Sequence, residues 1–172
     1  YCLFLCAEYA NLIDLQYMKI EITNLSQIYP NGKKALSDIN LNIGSGMFGL
    51  LGPNGAGKST LMRILVTMLK PSTGTIRIDN YDLTKNRKEI RQMLGYLPQD
   101  FRFFTKLKTW EFLDYAAGLS GINNKKERSA KVDEWLEKVG LFDFRDRDAN
   151  NLSGGMKRRL GIAQALIGDP KV

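Results

Sequence analysis

The stretch Gly49 to Leu65, GLLGPNGAGKSTLMRIL, concentrates glycine directly ahead of a helix-forming run, a poor composition for filling a core. Within it, Gly52-Pro53-Asn54-Gly55-Ala56-Gly57-Lys58-Ser59 matches the pattern G-x-x-x-x-G-K-[ST]. Glycines let successive backbone N–H groups point into one concavity, and the helix that follows adds its unpaired N–H groups and the positive end of its dipole. Such a place attracts an anion, and the pattern suits the phosphates of a nucleotide. Lys58 is placed to reach the β- and γ-phosphates, and the Ser59 hydroxyl to coordinate Mg²⁺ between them. The bland alternative, a glycine turn that only lets a strand meet a helix, leaves a lysine at a buried helix start with no counter-charge.

A second stretch, Asn151 to Leu166 (NLSGGMKRRLGIAQAL), has the same physical character. Ser153 is a good N-cap, Gly154 and Gly155 follow, and Leu160, Ile162, Ala163 and Leu166 recur at helical spacing. Taken alone it is either an anion-ready helix start or an ordinary loop entering a helix.

These loops need elements to hold them. MKIEITNLSQIY, from Met18, places Ile20, Ile22 and Leu25 in a strand-like pattern. The turn Pro30-Asn31-Gly32 leads to ALSDINLNI (Ala35 to Ile43), which alternates apolar and polar residues, so an antiparallel pair is expected. MFGLLG (Met47 to Gly52) is short and nearly all apolar, which predicts a strand covered on both faces in a parallel sheet. Leu61, Ile64, Leu65 and Met68 mark a helix ended by Pro71. Farther on, Trp110, Phe112, Leu113 and Ala116 predict one amphipathic helix behind the aromatics Phe101, Phe103 and Phe104. Val132, Trp135, Leu136 and Val139 predict another, ended near Gly140.

Composition narrows the function classes. The chain has 172 residues, 44% hydrophobic and 25% charged, ordinary values for a folded domain. It has no histidine, so a His-based metal site, triad or proton shuttle has no residue to use. The only cysteines, Cys2 and Cys6, lie near the start and offer neither a disulfide framework nor a zinc ligand set. The net charge of +7 suits an acidic partner, but only Lys157-Arg158-Arg159 forms a basic run of three. Residues 1–17 carry an apolar run with Glu8 and Asp14 but no Lys or Arg, unlike a signal peptide or a membrane span. They read as a leader that is not part of the domain, which is expected to start at Met18 and run to Val172, with a helical subdomain at about 102–155.

Gly52 to Thr60 resembles the Walker A motif, and Leu152-Ser153-Gly154-Gly155-Met156 the signature motif, of the ATP-binding subunit of ABC transporters. Between them GYLPQDF, Gly95 to Phe101, is similar to that family's Q-loop, with Gln99 in the position of the glutamine that contacts Mg²⁺ and water. The resemblance implies an α/β fold: a P-loop NTPase core with a parallel sheet, an N-terminal antiparallel β subdomain and an inserted α-helical subdomain. It implies ATP and Mg²⁺ as cofactors, Lys58 and Gln99 as catalytic groups, and Tyr29 as the aromatic that stacks on adenine; the alternative for Tyr29 is a core aromatic of the first strand. It also implies a sandwich with a second ATP-binding subunit, homo- or heterodimeric, in which Ser153, Gly154 and Gly155 face the partner's γ-phosphate. A transmembrane permease subunit would dock on the helical subdomain, which places this chain in the cytoplasm, peripheral on the cytoplasmic face of the membrane.

Two departures stand out. Met156 replaces the commoner glutamine of the signature, and the chain stops at GDPKV, before the strand that carries the family's Mg²⁺-binding Asp and catalytic Glu, and before its switch His. The chain is therefore expected to be part of a longer subunit and to hydrolyse ATP only in a longer version. The favoured expectation is ATP-driven transport, with GLLGPNGAGKSTLMRIL and GYLPQDF in the style of exporters, and no nucleic acid partner. The alternatives are a soluble ABC-type ATPase acting on ribosomes or nucleic acid, favoured by the +7 charge, and a fragment that binds without hydrolysing.

Overall fold

The computed structural model describes residues 18–98 and 106–171. They belong to two compact units, one of residues up to Leu94 together with Lys171, the other Gly95–Pro170.

The first unit is built on a four-stranded antiparallel sheet. Strand β1 (Ile20–Ile28) pairs with β2 (Lys34–Ile43) on one side and β3 (Thr73–Ile78) on the other, and β4 (Tyr81–Asp82) completes the order β2-β1-β3-β4. The expected β1–β2 hairpin is present. Its turn closes through the Tyr29 N–H to the Lys33 carbonyl at 2.9 Å and the Gly32 N–H to the Tyr29 carbonyl at 2.8 Å.

The apolar spacing of β1 is irregular for a physical reason. Ile22 and Leu25 are both buried although three residues apart, because Asn24 bulges out of the ladder in the left-handed region, φ 51°. The Asn24 N–H donates to Asn40 Oδ1 at 2.8 Å. The neighbouring strand has its own left-handed residue, Asp38 at φ 49°, whose N–H donates to Ser26 Oγ at 2.9 Å. Side chains thus take up backbone donors that the irregular pairing leaves out.

Helix α1 (Lys58–Leu65) packs Leu61 and Ile64 into a cluster with Ile22, Leu25, Leu36, Ile76 and Ile78. Met68, predicted on the same face, is exposed, because the helix ends at Leu65 rather than running on to Pro71. Helix α2 (Arg87–Met93) adds Ile90 to this core.

The predicted strand Met47–Gly52 does not form, and no parallel pairing occurs among the described residues. The segment is irregular, with Leu50 partly buried against the core and Leu51 85% exposed. Hydrophobicity specifies that a segment seeks cover, but a strand exists only where a neighbour completes its hydrogen-bond ladder. Gly95 to Pro98 is likewise irregular.

The second unit is helical: α3 (Thr109–Leu119), α4 (Lys125–Lys138) and α5 (Gly154–Leu166). On α4 and its cap, Val132, Trp135, Leu136 and Val139 are all buried, as their spacing predicts. On α3, Leu113 and Ala116 are buried, while Trp110 and Phe112 are only half-buried. Asn124 caps α4 by accepting from the Lys126 and Glu127 N–H groups, and Gly140, φ 62°, ends it with the Leu141 N–H returning to the Leu136 carbonyl at 2.8 Å. Arg128 Nε joins α4 to α3 through Asp114 Oδ1 at 2.7 Å. Phe101, Phe103 and Phe104 lie outside the described residues, as do residues 1–17.

The bulge at Asn24 makes one glycine obligatory. A Cβ at Gly74 would lie 2.4 Å from the Asn24 carbonyl oxygen, in a residue already at φ 87°. Gly74→Ala should lower stability by about 2 kcal/mol or more, since backbone must move and strain is added. Gly32→Ala, at φ 79° in open space, should lose only the left-handed preference, about 1 kcal/mol. Equal thermal midpoints for the two variants would show that β3 does not press on the bulge.

Candidate phosphate-binding site

The loop Gly52–Gly57 closes onto α1 by backbone conformations that glycine favours. Gly55 stands at φ 86° and Gly57, the N-cap, at φ 89°. Gly57 is doubly constrained, because a Cβ there would lie 2.5 Å from the Ala35 carbonyl oxygen and 2.7 Å from Leu36 Cδ2. The start of β2 is thus the floor on which the loop rests. The first helical bond runs from the Leu61 N–H to the Gly57 carbonyl at 2.9 Å, so the N–H groups of Lys58, Ser59 and Thr60 lie ahead of the ladder. No side chain caps this helix, and its first turn holds no acidic residue. The positive end of α1 is therefore left uncompensated by its own loop.

Lys58 turns back over the loop. Its Nζ donates to the Gly52 carbonyl at 2.6 Å and the Pro53 carbonyl at 2.8 Å. An ammonium has three protons, so two shape the loop and one remains for an incoming oxygen. Ser59 is exposed beside it. Thr60 is buried, and its Oγ1 lies 3.1 Å from the Tyr29 hydroxyl. Tyr29 is half-buried at the hairpin turn, outside the core cluster, with its hydroxyl on the first turn of α1. That link was not readable from the sequence, because Tyr29 and Thr60 are far apart along it.

The second candidate loop lies in the helical unit. Ser153 is the N-cap of α5, its Oγ accepting from the Met156 N–H at 3.3 Å. A Cβ at Gly154 or Gly155 would meet nothing within 4 Å, and neither residue has a positive φ. Neither packing nor backbone conformation within the described residues requires glycine here. Close approach by something outside the unit is a remaining physical reason for two of them. The first turn of α5 also has no acidic residue. In the basic run behind it, Arg159 is engaged internally, its Nη1 donating to the carbonyls of Val139 at 2.9 Å and Gly140 at 3.2 Å. Gln99 lies outside the described residues.

Among the described residues no group of three or more Asp, Glu, Cys or His side chains converges to hold a metal ion. The loop suits a different arrangement, in which Mg²⁺ keeps waters and phosphate oxygens and takes one or two protein ligands. Ser59 fits that role. The N–H groups of Lys58, Ser59 and Thr60, ahead of the helical ladder and with no side-chain cap, fit a phosphate lying against the backbone.

Known proteins carry the same architecture. Over 161 residues the chain is 40% identical to the methionine import ATP-binding protein MetN of Vibrio vulnificus (strain YJ016), covering 89% of this chain and 46% of that protein. It is 38% identical over 157 residues to YbhF of Escherichia coli (strain K12), named a probable multidrug ABC transporter ATP-binding protein, covering 89% of this chain and 27% of that one. The chain therefore spans less than half the length of these curated relatives. The solved dimeric cassette MJ0796, in a post-hydrolysis state with ADP and Pi, superposes with a TM-score of 0.77 at 31% identity, covering 88% of this chain and 70% of that one. The α/β fold expected of a P-loop NTPase is the fold of such cassettes. The family described as ABC transporter matches residues 36–172, and the chain belongs to that family.

Proposed function

We propose that this chain is the nucleotide-binding part of an ABC transporter's ATP-binding subunit and that it takes Mg·ATP at Gly52, Pro53, Asn54, Gly55, Ala56, Gly57, Lys58, Ser59 and Thr60. The observation that carries this reading is the uncapped, acid-free start of α1, reached through two left-handed glycines and backed by the Ala35 carbonyl. In this reading the N–H groups of Lys58, Ser59 and Thr60 hold the phosphates, and the remaining Lys58 proton goes to the β- or γ-oxygens. Ser59 and Gln99 hold Mg²⁺, which when bound neutralises charge between the β- and γ-phosphates. Tyr29 supports adenine with its ring face while its hydroxyl stays on Thr60.

Ser153, Gly154 and Gly155 are assigned to the γ-phosphate held by a second ATP-binding subunit. The support is their glycine composition without an internal reason, the uncompensated α5 dipole and the dimeric state of the solved relative. ATP then binds better to the closed pair than to either half, and the difference in affinity drives closure. Hydrolysis belongs to the whole protein, with Gln99 and Lys58 as this chain's contribution. No helix among the described residues is long and apolar enough to cross a membrane. In this reading a transmembrane permease subunit holds the chain at the cytoplasmic face. Export is supported by the style of GLLGPNGAGKSTLMRIL and by the multidrug relative, while the methionine import relative is similar to the same degree. Direction of transport is thus assigned to the membrane partner rather than to this domain. Action on nucleic acid, the rival reading, loses support because Arg159 of the basic run is spent on α4.

Lys58→Ala should weaken Mg·ATP binding by roughly thirtyfold, the loss of about one charge-assisted contact of 2 kcal/mol, measured by titration calorimetry. Unchanged affinity would refute the loop assignment. Ser153→Arg should leave ATP affinity of the monomer within about twofold while abolishing ATP-dependent dimerisation, since the cap costs only about 1 kcal/mol of helix stability. Light scattering that still detects an ATP-induced dimer would remove the Ser153 role, and salt-dependent RNA binding by the wild type would favour the rival.

A further inference from the structure

The far end of α1 is held in an unusual way. Its C-cap is Val66, and the next residue, Thr67, is in the left-handed region at φ 60°. Glycine usually occupies that position, because a β-branched side chain is strained there. The cap is otherwise complete, with the Thr67 N–H on the Ile64 carbonyl and the Met68 N–H on the Arg63 carbonyl, both at 2.9 Å.

Two arginines of α2 converge on this one residue. Arg87 Nη2 donates to the Thr67 carbonyl. Arg91 donates through Nε to Thr67 Oγ1 at 2.6 Å and through Nη2 to the Thr67 carbonyl at 3.3 Å. They stand four residues apart on one helix face, and neither has a carboxylate partner among the described residues. The cations suit the negative end of α1, but any cation would serve that purpose. A planar fork reaching two different atoms of a single residue does more, since it fixes where that residue lies and how it is turned.

Helix α1 is short, and its buried residues are Thr60, Leu61 and Ile64 only. Leu61, Ile64 and the partly buried Leu65 hold one face of this short rod against the core, and a contact at its C-terminal end also sets its tilt, since a tilt at one end displaces the other. The other end carries the N–H groups that face the phosphates.

We infer that Arg91, aided by Arg87, is a positioning residue for phosphate binding: clamped onto strained Thr67, it sets the aim of the α1 N-terminus. This rests on the proposed nucleotide reading. The hydroxyl of Thr67 has a use under this inference, which explains why a residue other than glycine is tolerated at φ 60°.

The test uses the full chain and Mg·ATP, titrated well below each variant's melting midpoint so that the folded fractions are equal. Arg91→Ala should weaken binding about tenfold and Thr67→Val about threefold, since Thr67→Val loses only the Arg91 Nε bond to Oγ1 and keeps the carbonyl contacts; the double variant should bind no more weakly than Arg91→Ala, which already removes that bond. Thr67→Val keeps shape and branching, so a merely packing role would leave it at wild-type affinity, and that result would overturn the inference. Thr67→Ser should restore binding. Arg91→Lys should not, and full affinity in Arg91→Lys would show that charge alone suffices, which also overturns it. If Arg91→Ala does not fold, the Thr67 pair decides. Wild-type affinity in both Arg91→Ala and Thr67→Val, with Lys58→Ala weakened, removes the clamp and leaves the nucleotide reading standing. A wild-type chain that binds no Mg·ATP removes both.

Discussion

The close approach of the Ala35 carbonyl to position 57, where a Cβ would lie 2.5 Å from its oxygen, is the constraint on which the rest of the site depends. A loop that presents backbone N–H groups to a ligand cannot also bury them, so it must be braced from behind without a clash. The beginning of β2 meets that need only because position 57 has no side chain. Everything that places Ala35 in space, the hairpin turn, the paired irregularities at Asn24 and Asp38, and the close approach of Gly74, therefore bears indirectly on the loop.

Lys58 shows how such a loop keeps its shape with so little packing. Residues 51–56 are exposed, and few apolar contacts hold them. Two carbonyls that would otherwise point into solvent instead share one ammonium, at 2.6 and 2.8 Å. The loop is cross-braced by the same group that is proposed to meet the ligand, so less ordering is needed on binding.

Several features were legible in the sequence because they are local. The G-x-x-x-x-G-K-[ST] loop, the Pro30-Asn31-Gly32 turn, the buried positions of α4 and the stop at Gly140 all follow from residue types at short spacing. What was not legible depends on partners distant in the chain. Met47–Gly52 has the composition of a covered strand but no ladder neighbour, and local pattern cannot supply one. The end of α1 at Thr67 was hidden by the more obvious breaker at Pro71, because a threonine at φ 60° is sustained by arginines some twenty residues away. Arg159 read as part of a basic run, yet it serves the carbonyls that end α4. The readable half of the site is its chemistry, and the unreadable half is its bracing.

The uncompensated start of α1 has a consequence for the medium around it. Oriented N–H groups and a spare ammonium proton attract negative oxygen with little regard for what carries it. If the loop takes nucleotide as proposed, inorganic phosphate or sulfate would compete for the same N–H groups. Nucleotide capture would then displace a small oxyanion, and the measured affinity would be a difference between two anions competing for one set of dipoles. The buffer becomes a reactant, and discrimination between nucleotide and bystander must come from the base and from the outer phosphates, where a lone oxyanion has nothing to offer.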